Sequence, residues 1–282
     1  MTGFCDLHAH STFSDGTDTP EELLTRAEQA GLCAVALTDH NTASGLPSFL
    51  ETAKGRSVRA IAGVELSSEY NGIELHILGL FLRPEHFEVV RERTDLYHIR
   101  KNQSNIDLVR KLNEAGYAID YERIKAATPE GQVNRALIGA ELTRLGYTES
   151  VQEAFQKLLK PKHGYYVPPV RESSFEIIRF IKSIGAVAVL AHPFLNLDEQ
   201  QLRVFLQEAV ACGLDGMETI YSTYDAQTEK LSHEIAKEFG LLPSGGSDYH
   251  GNNKPHIQLG SGCGGMRVPE GYLTALGERV RK

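Results

Sequence analysis

The stretch Cys33-Ala34-Val35-Ala36-Leu37-Thr38-Asp39-His40 is a continuous apolar run that ends in an acid and an imidazole. A run without polar alternation is typical of a strand buried on both faces, as in a parallel sheet covered by helices. In α/β barrels the C-terminal ends of the strands, with the loops that follow, build the active site. Asp39-His40 therefore falls where chemistry is done. Upstream, Thr19-Pro20-Glu21-Glu22 supplies an N-cap, a proline at the first helical position and acids in the first turn of a helix that stops at Gly31. Downstream, residues 58–66 form another apolar run with Glu65 near its end. Asn71-Gly72 is a hairpin dipeptide, and it places His76, within 73–80, on a returning strand close to Glu65. Residues 186–191 lead into His192-Pro193, 216–220 carry Glu218, and 241–247 lead into Asp248-Tyr249-His250. This alternation of strands and helices predicts an α/β fold with parallel strands and crossover helices.

The N-terminal stretch Asp6-Leu7-His8-Ala9-His10-Ser11-Thr12-Phe13-Ser14-Asp15-Gly16 reads as a metal site. Side chains in an extended strand repeat every second residue, so His8 and His10 leave one face with Asp6 behind them. Neutral imidazole is a common ligand of zinc, iron and manganese, and Asp15 can serve the same or an adjacent ion. A single histidine on a strand is more often a satisfied core residue than a ligand. Here six of the eleven, His8, His10, His40, His76, His192 and His250, share one structural phase with Asp15, Glu65 and Asp248. His86, His98 and His256 read as surface residues and His163 as part of a linker, while His233 on a helix can face the site from above.

With 282 residues and 41% hydrophobic content, the chain can form one large domain or one domain with an insert. From about residue 96 the alternation gives way to helical patterns, 105–113 ending at Gly116 and 135–142 ending at Gly146. The predicted organisation is a barrel domain of residues 1–95 and 171–282, with a helical insertion, 96–170, over the barrel mouth. Within the insert, Gly131-Gln132-Val133-Asn134-Arg135 precedes a helix, where backbone amides and a guanidinium can hold phosphate. A solvated surface arginine is the equal alternative.

Four scattered cysteines, at 5, 33, 212 and 263, signal neither a disulfide framework nor a thiolate zinc site. No basic region followed by an apolar run opens the chain, and no segment approaches the roughly 20 apolar residues of a membrane span. A cytoplasmic protein without membrane contact is expected, and no obligate protein partner is signalled. The net charge of −8 argues against a broad footprint for long nucleic acid and leaves small anions open.

These motifs resemble those of the PHP (polymerase and histidinol phosphatase) superfamily of metal-dependent phosphoesterases. The resemblance is carried by His8-Ala9-His10 with Ser14-Asp15-Gly16, then Thr38-Asp39-His40, Gly63-Val64-Glu65, His76, Ala191-His192-Pro193 and Gly246-Ser247-Asp248-Tyr249-His250. It spans nearly the whole chain, and the insert between His76 and His192 is similar to that of the TrpH-like branch, whose members act on nucleotide phosphates or short RNA. The resemblance implies a distorted (β/α)7 TIM-like barrel holding two or three divalent metal ions. It implies one ion on His8, His10, Glu65 and Asp248, a second on Glu65, His76 and His192, and a third on Asp15, His40 and His250. Manganese, iron or zinc suits this mixed nitrogen and oxygen set, magnesium less so. The implied activity is hydrolysis of phosphomonoesters of small nucleotides, a 3′,5′-nucleoside bisphosphate or a nucleoside monophosphate, by metal-activated hydroxide. His192, Asp248 and Glu65 would form its catalytic centre, and Arg135 and His233 are the substrate-binding candidates. Asp6 and Asp39 read as groups that orient histidines. The alternatives are a 5′–3′ exonuclease on short RNA, a histidinol phosphatase, and a non-catalytic metal-binding module. An amidohydrolase-type enzyme usually implies a metal-bridging lysine, and no lysine here ends a barrel strand.

Overall fold

Among the described residues the alternating pattern resolves into nine strands in one sheet. The computed structural model describes residues 3–127 and 133–280. Met1 and Thr2, and Gly131 and Gln132 at the head of the phosphate-binding candidate, lie outside the described residues. The strands are β1 (Phe4–Asp6), β2 (Ala34–Leu37), β3 (Arg59–Tyr70), β4 (Ile73–Leu80), β5 (Glu172–Ser173), β6 (Val187–Leu190), β7 (Gly216–Tyr221), β8 (Leu242–Gly246) and β9 (Val268–Pro269). Their order is β8-β7-β6-β4-β3-β2-β1-β9, with β5 beside β3.

Strands β1, β2 and β3 run parallel, as do β6, β7 and β8. Strand β4 is antiparallel to both β3 and β6, because Asn71 and Gly72, at φ 51° and 78°, close a tight hairpin. Strand β8, at one end of the order, closes back on the β1 segment, where the Leu7 amide donates to the Gly245 carbonyl at 3.2 Å and the Asp248 amide to the His8 carbonyl at 2.9 Å. The result is the mixed α/β fold that the alternation predicts, in the nearly closed barrel-like form that the family resemblance implies, with antiparallel β4 as its distortion.

Helix α1 (Pro20–Gln29) begins as its sequence signals. The Glu22 amide donates to the Thr19 hydroxyl, the Thr19 amide donates to the Glu22 carboxylate, and Gly31, at φ 69°, turns the chain toward β2. Helix α2 (Leu46–Thr52) follows β2. Between β4 and β5 come α3 (Phe87–Glu114), α4 (Tyr121–Ala126), α5 (Arg135–Arg144) and α6 (Val151–Ala154). After β5 the alternation resumes with α7 (Ser174–Ser183), α8 (Glu199–Ala211), α9 (Ala226–Glu238) and α10 (Glu270–Gly277).

Strand β2 shows why its sequence is unbroken. Ala34 and Ala36 belong to one buried cluster with Cys5, Leu7, Leu78 and Val189, while Val35 and Leu37 belong to another with Leu23, Leu24 and Phe49. Each large side chain buried this way contributes about 1.5–3 kcal/mol.

The chain divides into two compact units, Met1–Arg91 with Arg171–Lys282, and Glu92–Val170. The second has its own core around Leu108, Leu112, Ile138, Leu142 and Leu159. His86, read from sequence as a surface residue, is buried in a short turn where its Nδ1 accepts from the Arg83 amide at 3.1 Å. Among the described residues no helix is long and apolar enough to cross a membrane.

Candidate metal centre

The nine residues expected as ligands converge at the edge of the barrel where β1, β2, β6 and β8 end. His8 and His10 follow β1 in an extended segment, with ring centroids 5.1 Å apart. Glu65 lies mid-way along β3 rather than near its end, because β3 continues past the rim with β4. Its Oε2 stands 3.2 Å from His8 Nε2, 3.2 Å from His10 Nε2 and 2.9 Å from His40 Nδ1. Its Oε1 stands 2.8 Å from His76 Nδ1 and 3.1 Å from His192 Nε2. One buried carboxylate thus faces five imidazoles. Asp248 Oδ1 lies 3.2 Å from His10 Nε2 and 3.4 Å from His250 Nδ1, and Asp15 Oδ1 lies 3.1 Å from His250 Nε2 and 3.8 Å from His40 Nε2.

Three donor groups result: His8, His10, Glu65 and Asp248; His10, Asp15, His40 and His250; and His40, Glu65 and His76. Within each, the ligand atoms lie within 4.8 Å of one another. The fit to divalent cations rests on orphaned atoms. His8 Nε2, His10 Nε2, Glu65 Oε2 and His192 Nδ1 are buried without a hydrogen-bond partner among the described residues. Such atoms are rare in folded proteins, and imidazole nitrogen with carboxylate oxygen is a donor set that first-row dications take.

The local charges agree. Burial alone would raise the Glu65 carboxyl, but His40, His8 and His76 outweigh it and hold it well below the usual range. Asp248 is held low in the same way by His10 and His8, and Asp15 by His40 and His250. Burial works against charged imidazoles, yet Asp248 and Glu65 lift His10 to about 9, and Glu65 lifts His76 to about 10. Protons on His8, His10 and His76 thus balance ionised carboxylates, a balance that a dication takes over when it binds, whereas burial holds His40 below its ordinary value.

The PHP domain family model matches residues 6–167, more than half of the chain. The chain belongs to the PHP domain family. This PHP chain is 32% identical to a 5′-3′ exoribonuclease of Haemophilus influenzae, over 89% of its own length and 91% of the relative's. It is also 32% identical to a phosphoribosyl 1,2-cyclic phosphate 1,2-diphosphodiesterase of Eggerthella lenta, over 94% and 98% of the two chains. Among solved structures it is similar to a Bifidobacterium adolescentis chain assigned to the metal-dependent phosphoesterases, with a TM-score of 0.85, 27% identity, and coverage of 99% and 96%.

Around this cluster of the PHP chain, several neighbours differ from the sequence reading. Asp6 acts on backbone rather than on a ring: it accepts from the His8 amide at 3.3 Å, the Ser247 amide at 2.9 Å and the Gly260 amide at 2.7 Å. Asp39 likewise accepts from the Ser11 amide and hydroxyl and from the Ser14 hydroxyl, each at 2.7 Å, and so anchors the loop that carries Asp15. Tyr221 and Lys254 went unmarked in the sequence. The Tyr221 hydroxyl and the Lys254 ammonium each donate at 2.8 Å to Asp248 Oδ2, the oxygen turned away from His10. The strand-end position of Tyr221 was a usable signal, whereas Lys254 depends on a short turn at 251–253 that brings it back.

Arg135 and His233 have partners of their own. The Arg135 guanidinium lies over the Tyr166 ring at 4.2 Å and donates to the Leu159 carbonyl at 3.4 Å. His233 places Nδ1 2.7 Å from the Glu229 carbonyl and Nε2 2.7 Å from the Tyr272 hydroxyl and 3.1 Å from the Thr219 hydroxyl.

Proposed function

We propose that the chain is a metal-dependent phosphoric ester hydrolase acting on phosphomonoesters of small nucleotides, a 3′,5′-nucleoside bisphosphate or a nucleoside monophosphate. The observation that carries this reading is Glu65, whose two oxygens face five imidazoles and which belongs to two of the three donor groups. In this reading His8, His10, Glu65 and Asp248 hold one ion, Glu65, His76 and His192 a second, and Asp15, His40 and His250 a third. His40 is close enough to Glu65 and His76 to be shared. Manganese, iron or zinc suits the donors.

When bound, such ions neutralise charge on the phosphoryl oxygens and acidify the attacking water. The chain's own part is placement. Glu65, His192 and Asp248 are its catalytic centre, Tyr221 and Lys254 fix the outer oxygen of Asp248, and the 35% exposed Lys254 side chain offers a cation to an arriving phosphate. His233 is not carried into this reading, since both its ring nitrogens are engaged by Glu229, Thr219 and Tyr272, whereas Arg135, with one N–H on the Leu159 carbonyl at 3.4 Å, stays a substrate-binding candidate.

A small substrate is supported by the net charge of −8, by the absence of tryptophan for base stacking, and by the name of the Eggerthella lenta relative, a phosphoribosyl ester hydrolase matched over 98% of its length. The name of the Haemophilus influenzae relative favours a second reading, a 5′–3′ exonuclease on short RNA. A cytoplasmic setting belongs to the same proposal, supported by four free cysteines. The deciding experiment compares kcat/KM for adenosine 3′,5′-bisphosphate, AMP, histidinol phosphate and 5′-phosphorylated RNAs of about two to ten nucleotides, all with manganese. The mononucleotides are expected to be turned over best. Efficiency that climbs with RNA length while the mononucleotides are barely hydrolysed would replace this reading with the exonuclease.

A further inference from the structure

We infer that Glu218 is a positioning residue that locks two ligands of the metal centre at once, the ring of His8 and the backbone of His192. Glu218 lies on β7 and is wholly buried. Its Oε1 is 3.0 Å from His8 Nδ1, and its Oε2 accepts the His192 amide at 2.7 Å. With Oε2 taken by the His192 amide, Oε1 is left to accept a proton carried on His8 Nδ1. In the neutral ring that a bound metal requires, Nε2 then keeps its lone pair, and Nε2 is the orphaned atom facing Glu65 at 3.2 Å and Asp248 at 3.6 Å. A carboxylate behind a ligating histidine fixes the ring's tautomer and orientation and strengthens its donor atom.

The second oxygen acts on backbone. His192 has φ 28° and ψ 53°, close to the left-handed region that side-chain-bearing residues seldom adopt. The bend sets the ring against Glu65 Oε1 at 3.1 Å and against the His8 ring, with centroids 5.6 Å apart and planes 22° apart. Glu218 holds the amide at the centre of that bend. One carboxylate therefore couples His8, in the donor group with Asp248, to His192, on the opposite oxygen of Glu65.

Because this role presupposes the metal reading above, zinc uptake by the parent protein is measured first. In competition with a fluorescent chelator, stripped Glu218→Gln protein is expected to bind Zn2+ about 10- to 100-fold more weakly than the parent, with unchanged far-UV circular dichroism. The amide oxygen still serves the His192 amide, but its NH2 group faces His8 Nδ1 and opposes the required tautomer. A folded variant that binds within about twofold of the parent overturns the role of Glu218 alone, and a parent that takes up no zinc overturns the metal reading with it. Long-range 1H–15N spectra of the zinc-loaded parent supply a measurement independent of any variant. His8, assigned through its bonds, is expected to carry its proton on Nδ1, and a proton on Nε2 overturns the inference even if Glu218→Gln fails to fold.

Discussion

His192 Nε2, just past the end of β6, stands 3.1 Å from Glu65 Oε1, inside β3, across 127 residues of chain. Strand β4 lies between β3 and β6 and sends His76 to the same oxygen, at 2.8 Å. If these contacts form a metal centre, His192→Ala should lower kcat/KM on the order of 100-fold or more, about 2.7 kcal/mol of transition-state stabilisation. His256, exposed and outside the cluster, is the control, and its alanine variant should stay within about twofold of the parent. Equal losses in the two variants would remove His192 from the centre.

Gly246 makes a close approach that a methyl group cannot share. A Cβ there would lie 2.3 Å from His8 Cβ and 2.5 Å from the His8 amide nitrogen. Gly246→Ala is expected to destabilise the metal-free protein by roughly 1–3 kcal/mol in urea and to weaken zinc uptake, since His8 must move. Gly271→Ala, where an added Cβ meets nothing within 4 Å, should do neither. Parent-like zinc uptake by Gly246→Ala would show that the His8 segment yields without cost to the site.

Glu141 in α5, within the unit Glu92–Val170, supplies a pH test of its own. The Arg144 guanidinium at 2.7 and 2.8 Å, with Arg123 on the same carboxylate, holds its carboxyl at about 2, against an ordinary 4.5. A lowered carboxyl stabilises the fold above its ordinary range, and that contribution is lost as pH falls toward 2. Both arginines are about half exposed, so solvent screening reduces the effect to roughly 1–2 kcal/mol. Glu141→Gln should be less stable than the parent by that amount at pH 7 in urea unfolding, and the gap should narrow as pH falls from 4.5 toward 2. A gap independent of pH would assign the loss to packing.

Much of this was legible because local chemistry and tertiary environment agree. The unbroken run of β2 reports burial on two faces, Asn71-Gly72 reports the hairpin, and Thr19 with Glu22 reports the start of α1. The histidine phase was legible because strand ends in a barrel-like sheet share one rim. Other features leave no local trace. Strands β5 and β9 are two residues each, too short for a pattern. The first half of α3 exposes Leu96 and Ile99, at 52% and 66%, so no apolar periodicity marks its start. Asp6 and Asp39 sit beside histidines in sequence, but nearby backbone amides and serine hydroxyls compete for their oxygens and win. Tyr221 and Lys254 reach Asp248 only through the folded chain.

The central claim is that bound divalent metal makes this cluster a hydrolytic site, and the most direct measurement is turnover of a nucleoside phosphate by chelator-stripped protein, assayed before and after manganese is restored. Metal content is verified by elemental analysis in the same samples. Hydrolysis is expected to fall to background on stripping and to return with manganese, alongside a higher unfolding temperature for the loaded protein. Undiminished hydrolysis by protein shown to be metal-free would contradict the account.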